Sequence, residues 1–268
     1  GWASYRVTLE MDGPFWHHDT RLNQKRIPPM SATVLLNPTN AVPVPRRYCS
    51  FAIVNGNVFI PPEVIDHASF RRWARSLETP RRIRLAYFND TVWVDNVMEE
   101  LFSRNRVKQA FNLDLGAFIK KSGTGTYLPE GMLLSHIPSG LSVEPDAIYL
   151  SYDAIESKRV VGQGADSRMV ELIGSPEMVL EVVSDSSVKK DTATLPELYY
   201  SAGITEYWLV DTRGSTIKFR IFQRGEAAYV ATAADAEGWM RSPLFDKEFR
   251  LTSGTDRLGK PTFDLEIR

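Results

Sequence analysis

A chain of 268 residues with 43% hydrophobic and 24% charged residues has the composition of a globular protein with a sizeable core, in one large domain or two small ones. Its formal net charge of -1 excludes a global attraction to nucleic acid, so any such binding has to use local basic patches. The single cysteine, Cys49, excludes an intramolecular disulfide, and the four histidines, His17, His18, His67 and His136, form no zinc-spaced Cys/His cluster.

The opening residues GWASYRVTLE have neither the basic nor the apolar region of a signal peptide, and no apolar run approaches the roughly 18 to 20 residues of a membrane-spanning helix. The expected setting is reducing and cytoplasmic. Residues 1 to about 62 are proline-rich with short alternating apolar stretches, among them ATVLL and CSFAIVNGNVFIPP with its turn-forming Asn55-Gly56-Asn57; they read as β-hairpins and extended arms. Val64, Ile65, Ala68, Trp73, Ala74 and Leu77 are spaced for a short amphipathic helix. Arg71, Arg72, Arg75, Arg81, Arg82 and Arg84, along its polar side and exit, make the clearest basic patch. No aromatic interleaving accompanies it, which favours a solvated arginine face over nucleic-acid contact.

TVWVD, Thr91 to Asp95, reads as a strand. From Met98 to Lys121 apolar residues recur at Met98, Leu101, Phe102, Ala110, Phe111, Leu115, Phe118 and Ile119, which predicts one long amphipathic helix. Its other face, Glu99, Arg104, Asn105, Arg106 and Lys108, reads as solvated surface, with substrate contact as the alternative. Gly123-Thr124-Gly125 ends the helix, and no G-x-x-x-x-G-K-[ST] loop follows a strand, which disfavours a nucleoside triphosphatase. From Thr126 the chain reads strand, turn, strand, a linker at Val160 to Ser167, then MVELIGSPEMVLEVVS, a helix near Glu197 to Ala202, and EYWLV. TIKFRIFQRG, AAYVATA and FDKEFRLTSG follow as antiparallel strands. The predicted class is α/β or α+β with a mixed central sheet. The expected division is a β-rich N-terminal region with a short helix over residues 1–85 and one principal domain over 86–268.

The chemistry concentrates around MVLEVV, Met178 to Val183. A carboxylate inside an apolar strand is costly unless a cation compensates it or the strand end opens into a site. Val179, Glu181 and Val183 share one face, and Met178, Leu180 and Val182 the other. In VEPDAIYLSY, Asp146 follows a proline at the entrance of another apolar strand. Either acid also has a bland reading: a turn-bonded strand-entry aspartate for Asp146, a buried salt bridge with an arginine for Glu181. Lys189 and Lys190 follow the polar turn SDSSV that leaves the Glu181 strand, so either ammonium can reach back toward it. Two strand-borne carboxylates with a nearby lysine are what metal-assisted phosphodiester hydrolysis requires. Asp191-Thr192 resembles a helix cap, but Pro196 moves the expected start of the continuous helix to about Thr194.

These segments together resemble the Uma2 family of restriction-endonuclease-like proteins, in the PD-(D/E)xK nuclease superfamily. The matching residues are Pro145-Asp146, Glu181-Val182-Val183-Ser184-Asp185-Ser186, and the run from Ala202 to Asp211, AGITEYWLVD, over about half of the chain. The resemblance implies a restriction-endonuclease-like core, with a central mixed sheet flanked by helices. It implies DNA as the partner and Mg²⁺, or Mn²⁺, as the cofactor, held by Asp146, Glu181 and the Val182 carbonyl. Glu99 is a further acid that the resemblance places near the metal. The superfamily's motif lysine is replaced by Val183, and Leu195 stands where family members place a lysine on the following helix. Lys190 is the expected substitute, and Lys189 the second candidate. Glu206, Tyr207, Trp208 and Asp211 match the family but need only a packing role.

The resulting expectation is a Mg²⁺-dependent DNA endonuclease with Asp146, Glu181 and Lys190 as catalytic residues, in a homodimer that brings two sites to two strands. The alternative is a noncatalytic nucleic-acid-binding or regulatory module that keeps the nuclease fold. A two-carboxylate glycosidase is disfavoured by the lack of an aromatic sugar platform around the acids.

Overall fold

The structure is a computed structural model and describes residues 44–45, 52–54, 58–76, 83–96, 104–165, 168–214 and 216–268. The expectations for His17, His18, residues 32–36, Cys49, the Asn55-Gly56-Asn57 turn, Arg81, Arg82 and Glu99 fall outside those residues. In chain order the chain forms β1 (Val44–Pro45), β2 (Ala52–Val54), β3 (Val58–Ile60), α1 (His67–Ala74), β4 (Ile83–Phe88) and β5 (Thr91–Asn96). Next comes α2 (Arg104–Ala110), which passes through a π-helical turn (Phe111–Leu115) into α3 (Gly116–Ser122). Then follow β6 (Gly125–Pro129), β7 (Leu133–His136), β8 (Leu141–Val143), β9 (Ala147–Ser151), α4 (Tyr152–Glu156), β10 (Val160–Ala165), β11 (Arg168–Gly174) and β12 (Met178–Val182). A second π-helical turn (Lys190–Thr194) leads into α5 (Leu195–Ser201), and β13 (Glu206–Asp211) through β14 (Lys218–Arg224), β15 (Tyr229–Ala231), β16 (Met240–Ser242), β17 (Lys247–Thr255) and β18 (Pro261–Ile267) complete the chain.

Two larger sheets carry the fold: β1-β5-β4-β8-β7-β11-β10, and β15-β14-β13-β12-β9-β6. Smaller ones are β16-β17-β18 and the hairpin pair β2-β3. In the second sheet β12 lies parallel to β13, with Glu181 opposite Leu209, and antiparallel to β9, with Leu180 opposite Ala147. A parallel pair needs a crossover, which α5 supplies. Every residue of β12 is buried, as a strand apolar at every position but Glu181 dictates. On one side of β12, Val179 and Val183 pack with Leu195, Tyr199 and Ala202 around α5 and with Leu134, Leu141 and Val143 of the first sheet. On the other side, Met178, Leu180 and Val182 pack with Val107, Phe111, Leu115 and Ile119 of the long helix and with Phe249 and Leu265 of the C-terminal sheet. The mixed α/β architecture with a helix-flanked central sheet is the one expected.

Local chemistry sets the boundaries. Asp66 caps α1 by accepting from the Ser69 amide at 2.7 Å, while the Ser69 hydroxyl accepts from the Asp66 amide at 2.9 Å, so the helix starts at His67 rather than Val64. Gly123, at φ +68°, ends α3 as expected. Pro196 sits in the first turn of α5. Two readings change. Val160 to Ser167, expected as a linker, contains β10, which pairs with β11 from Val160 opposite Gly174; its side chains at 161–164 are exposed, so no apolar alternation marks it. MVELIGSPEMVLEVVS is two strands in different sheets, divided at Gly174, whose φ of +131° and close approach to the Arg159 carbonyl admit only glycine. Strand β4 runs through the expected division between residues 85 and 86. Among the described residues no helix is long and apolar enough to cross a membrane.

Candidate active site

Because β9 and β12 are antiparallel, the entrance of β9 lies beside the exit of β12, and Asp146 meets Glu181 and Val182 there. The Asp146 amide donates to the Leu180 carbonyl at 3.0 Å, and the Val182 amide donates to Asp146 Oδ2 at 2.7 Å. Asp146 is buried, and three cations converge on it. Arg84 Nη1 lies 2.7 Å and Lys108 Nζ 3.0 Å from Oδ1, and Arg104 Nη2 lies 3.0 Å from both oxygens. Arg104 Nε also donates to the Val182 carbonyl at 3.0 Å. Glu130, at the rim, pairs with Arg84 and Lys108. Burial by itself pushes the Asp146 carboxyl up, but the charges of Arg84, Arg104 and Lys108 and the Val182 amide outweigh it and hold the acid well below the usual carboxylate range.

Glu181 is equally buried and lives in the opposite environment. Its Oε1 accepts from the Tyr199 hydroxyl at 2.6 Å. Burial, followed by the charges of Asp191 and Asp146, pushes it up to about 8, against the weaker pull of Lys190 and Tyr199. Asp191 is raised too, chiefly by burial. One of its oxygens accepts from Ser187; the other makes no hydrogen bond and has the Lys190 ammonium at 3.6 Å. A narrow pocket lined by Arg84, Glu144, Glu181, Ser186, Ser187, Lys190 and Leu195 encloses about 20 Å³, enough for one ordered water.

The sequence-predicted trio is thus brought together in part. Glu181 lies within electrostatic reach of both Asp146 and Lys190, while Lys190 shares its pocket with Glu181. Lys189 points outward and is exposed, so the two candidate lysines separate in favour of Lys190. The expected metal donors, in contrast, do not fit a divalent ion as they stand. Both Asp146 oxygens and the Val182 carbonyl are engaged by Arg104, and among the described residues no group of three or more His, Cys, Asp or Glu side chains is arranged to hold a metal. A Mg²⁺ ion needs open oxygen donors at about 2.0–2.1 Å.

Several residues of this site escape the sequence reading. Arg104 and Lys108, expected as solvated surface, turn inward to Asp146, Lys108 buried and Arg104 largely so. Their signal was the spacing 104, 107, 108, 111, 115, a single helical stripe in which two cations stand among Val107, Phe111 and Leu115. Arg84, taken as part of a solvated patch, is buried for the same reason, and Arg71 and Arg75 pair with the buried Glu171 on β11. Asp191, read as a cap, is a third buried acid. Tyr207 and Trp208 do have the packing role expected, fully buried, with the Tyr207 hydroxyl donating to the Asp191 carbonyl at 2.7 Å and Trp208 Nε1 to Glu206 at 2.8 Å.

Comparison with known proteins agrees with this geometry at the level of fold. Residues 67–253, more than half of the chain, match the Uma2 family model, "Putative restriction endonuclease". Among solved structures, the crystal structure of "a putative nuclease belonging to DUF820" from Anabaena variabilis ATCC 29413 is similar with a TM-score of 0.50, at 11% identity, over 68% of this chain and 91% of that one. No curated protein matches the chain.

Proposed function

The chain belongs to the Uma2 family, and from that premise we propose that it is an endonuclease hydrolysing DNA phosphodiester bonds at the junction of β9 and β12. The observation that carries this reading is that Glu181, at the exit of β12, lies in electrostatic reach of Asp146 from one segment and Lys190 from another. Lys190 faces the one-water pocket and supplies positive charge where a phosphate gains negative charge. Burial and the charges of Asp191 and Asp146 favour the protonated form of Glu181, which can release its proton within that pocket. Asp146 stays ionised and holds Arg84, Arg104 and Lys108 in place. A Mg²⁺ or Mn²⁺ ion would supply a Lewis acid in enzymes of this kind, whereas Asp146 and the Val182 carbonyl, as they stand, are engaged by Arg104. A homodimer and a cytoplasmic setting belong to the same proposal.

The test is cleavage of supercoiled plasmid and of single-stranded DNA by the purified chain in Mg²⁺ and in Mn²⁺. Wild type should cut, and Asp146→Ala and Glu181→Ala should not. Activity that survives both substitutions sinks the assignment. A second reading, a noncatalytic nucleic-acid-binding module, is favoured by one specific pair of observations: Arg104 fills the Asp146–Val182 site, and buried Leu195 lines the pocket where the family resemblance places a lysine. DNA retention without cleavage in either metal is its expected result.

A further inference from the structure

Arg104 reaches three oxygen acceptors at once. Nη2 stands 3.0 Å from Asp146 Oδ1 and 3.0 Å from Oδ2, and Nε stands 3.0 Å from the Val182 carbonyl. The Val182 amide ties the same carboxylate to the same residue at 2.7 Å, so carboxylate, Val182 backbone and guanidinium close a ring. A planar cation with donors in a fixed fork suits such a set of acceptors, and here it satisfies the donors that a divalent ion would otherwise take. The surroundings reinforce the choice. Arg84, Arg104 and Lys108 set three positive charges against Asp146 and the rim carboxylate of Glu130. A dication brought to Asp146 would meet all three at short range, where repulsion is large.

Arg104 is placed for this by its helix. It opens the described part of α2, one turn before Lys108, with Val107 fully buried between them and Phe111 beyond. The apolar stripe anchors the helix on β12, which fixes the direction of both cations. Arg106, off that stripe, turns away to Asp256 at 2.7 Å.

We propose that Arg104 is the resident cation of the Asp146–Val182 site, a competitor that keeps the site closed to divalent metal until its guanidinium is displaced. A phosphodiester, as the competing anion, is the ligand chemically suited to displace it. The inference takes from the proposed function only that Asp146 is the anionic centre of the site. It is tested by metal binding rather than by cleavage, so the two fail separately.

The experiment titrates Mn²⁺ into the full chain and follows free Mn²⁺ by electron paramagnetic resonance, comparing wild type, Arg104→Met and Arg104→Met/Asp146→Asn, each checked for folding by thermal melting. Arg104→Met should bind Mn²⁺ at least about tenfold more tightly than wild type, the scale on which groups around a metal site alter affinity, and the added Asp146→Asn should abolish the gain. Should Arg104→Met not fold, Arg104→Gln, which keeps a donor for the Val182 carbonyl without the charge, gives the same comparison. A folded Arg104 variant that binds Mn²⁺ no more tightly than wild type overturns the proposal, as does a gain that persists after Asp146→Asn.

Discussion

The two halves of the site hold the same chemical group in opposite states. On the β4–α2 side, Asp146 has more cations than it can neutralise; on the β12–α5 side, Glu181 and Asp191 share one nearby ammonium, and each accepts from one hydroxyl, Tyr199 on Glu181 and Ser187 on Asp191. Both acids are fully buried, so burial alone explains neither state. What differs is which element faces them: an arginine strand and a basic helical stripe on one side, an aromatic helix on the other. One fold thereby keeps an ionised and a protonated carboxyl side by side, the separation that acid–base chemistry uses.

The largest way to break this contrast is Asp146→Asn. It removes the buried anion that three largely buried cations share, leaving Arg84 and Lys108 with the rim carboxylate of Glu130, and should destabilise the fold by about 3 kcal/mol, read from urea denaturation at pH 7. Replacing Lys190 by Met should lower cleavage about 100-fold, the low end for a positioned proton-transfer or charge-stabilising group, whereas Lys189→Met should change it less than about twofold. Equal losses from both would remove the distinction between the lysines. Tyr199→Phe withdraws the hydroxyl that bonds Glu181 and should cost about 1 to 2 kcal/mol, while pushing the Glu181 carboxyl further up.

The last effect is a slope with pH, and it is the most diagnostic. Glu181, raised to about 8 from an ordinary 4.5, takes up a proton on folding between those values, so its contribution is fully present below pH 4.5 and is lost as pH rises toward 8. Glu181→Gln should therefore lose no stability at pH 7 and should flatten the decline between pH 4.5 and 8, measured as urea midpoints across that range. Asp146, held low, has the reverse sign: its contribution is present above its ordinary 3.8 and is lost as pH falls below it. A Glu181→Gln variant with an undiminished alkaline decline would assign that decline to Asp191 and Glu144, which shift in the same direction.

Much of this was legible in the residues, for a physical reason. The apolar run of MVLEVV fixes a buried strand whatever surrounds it, and a charge inside such a run has to be answered by other groups, which made Glu181 visible. Pro196 placed the start of α5, and the Tyr207–Trp208 pair announced the adjacent interior strand. The answering cations were harder to see. Arg84, Arg104 and Lys108 come from segments 38 or more residues before Asp146, and long basic side chains carry no local mark of whether they end in water or on a buried acid. Strand β10 was hidden because an exposed edge strand is held by main-chain bonds and needs no apolar alternation. The break within MVELIGSPEMVLEVVS depended on Gly174 changing sheets, a tertiary event that a glycine permits but does not announce.

Strand β4 gives the molecule a history that a cut through it would erase. A fragment beginning at residue 86 would inherit Asp146 and Glu181 but only half of β4, and it would leave behind Arg84 together with the arginines that hold Glu171. The N-terminal third is therefore not baggage that recombination could exchange freely: Arg104 and Lys108 would stay on Asp146, but whichever neighbour this nuclease fold acquires must bring its own cations for the buried Glu171.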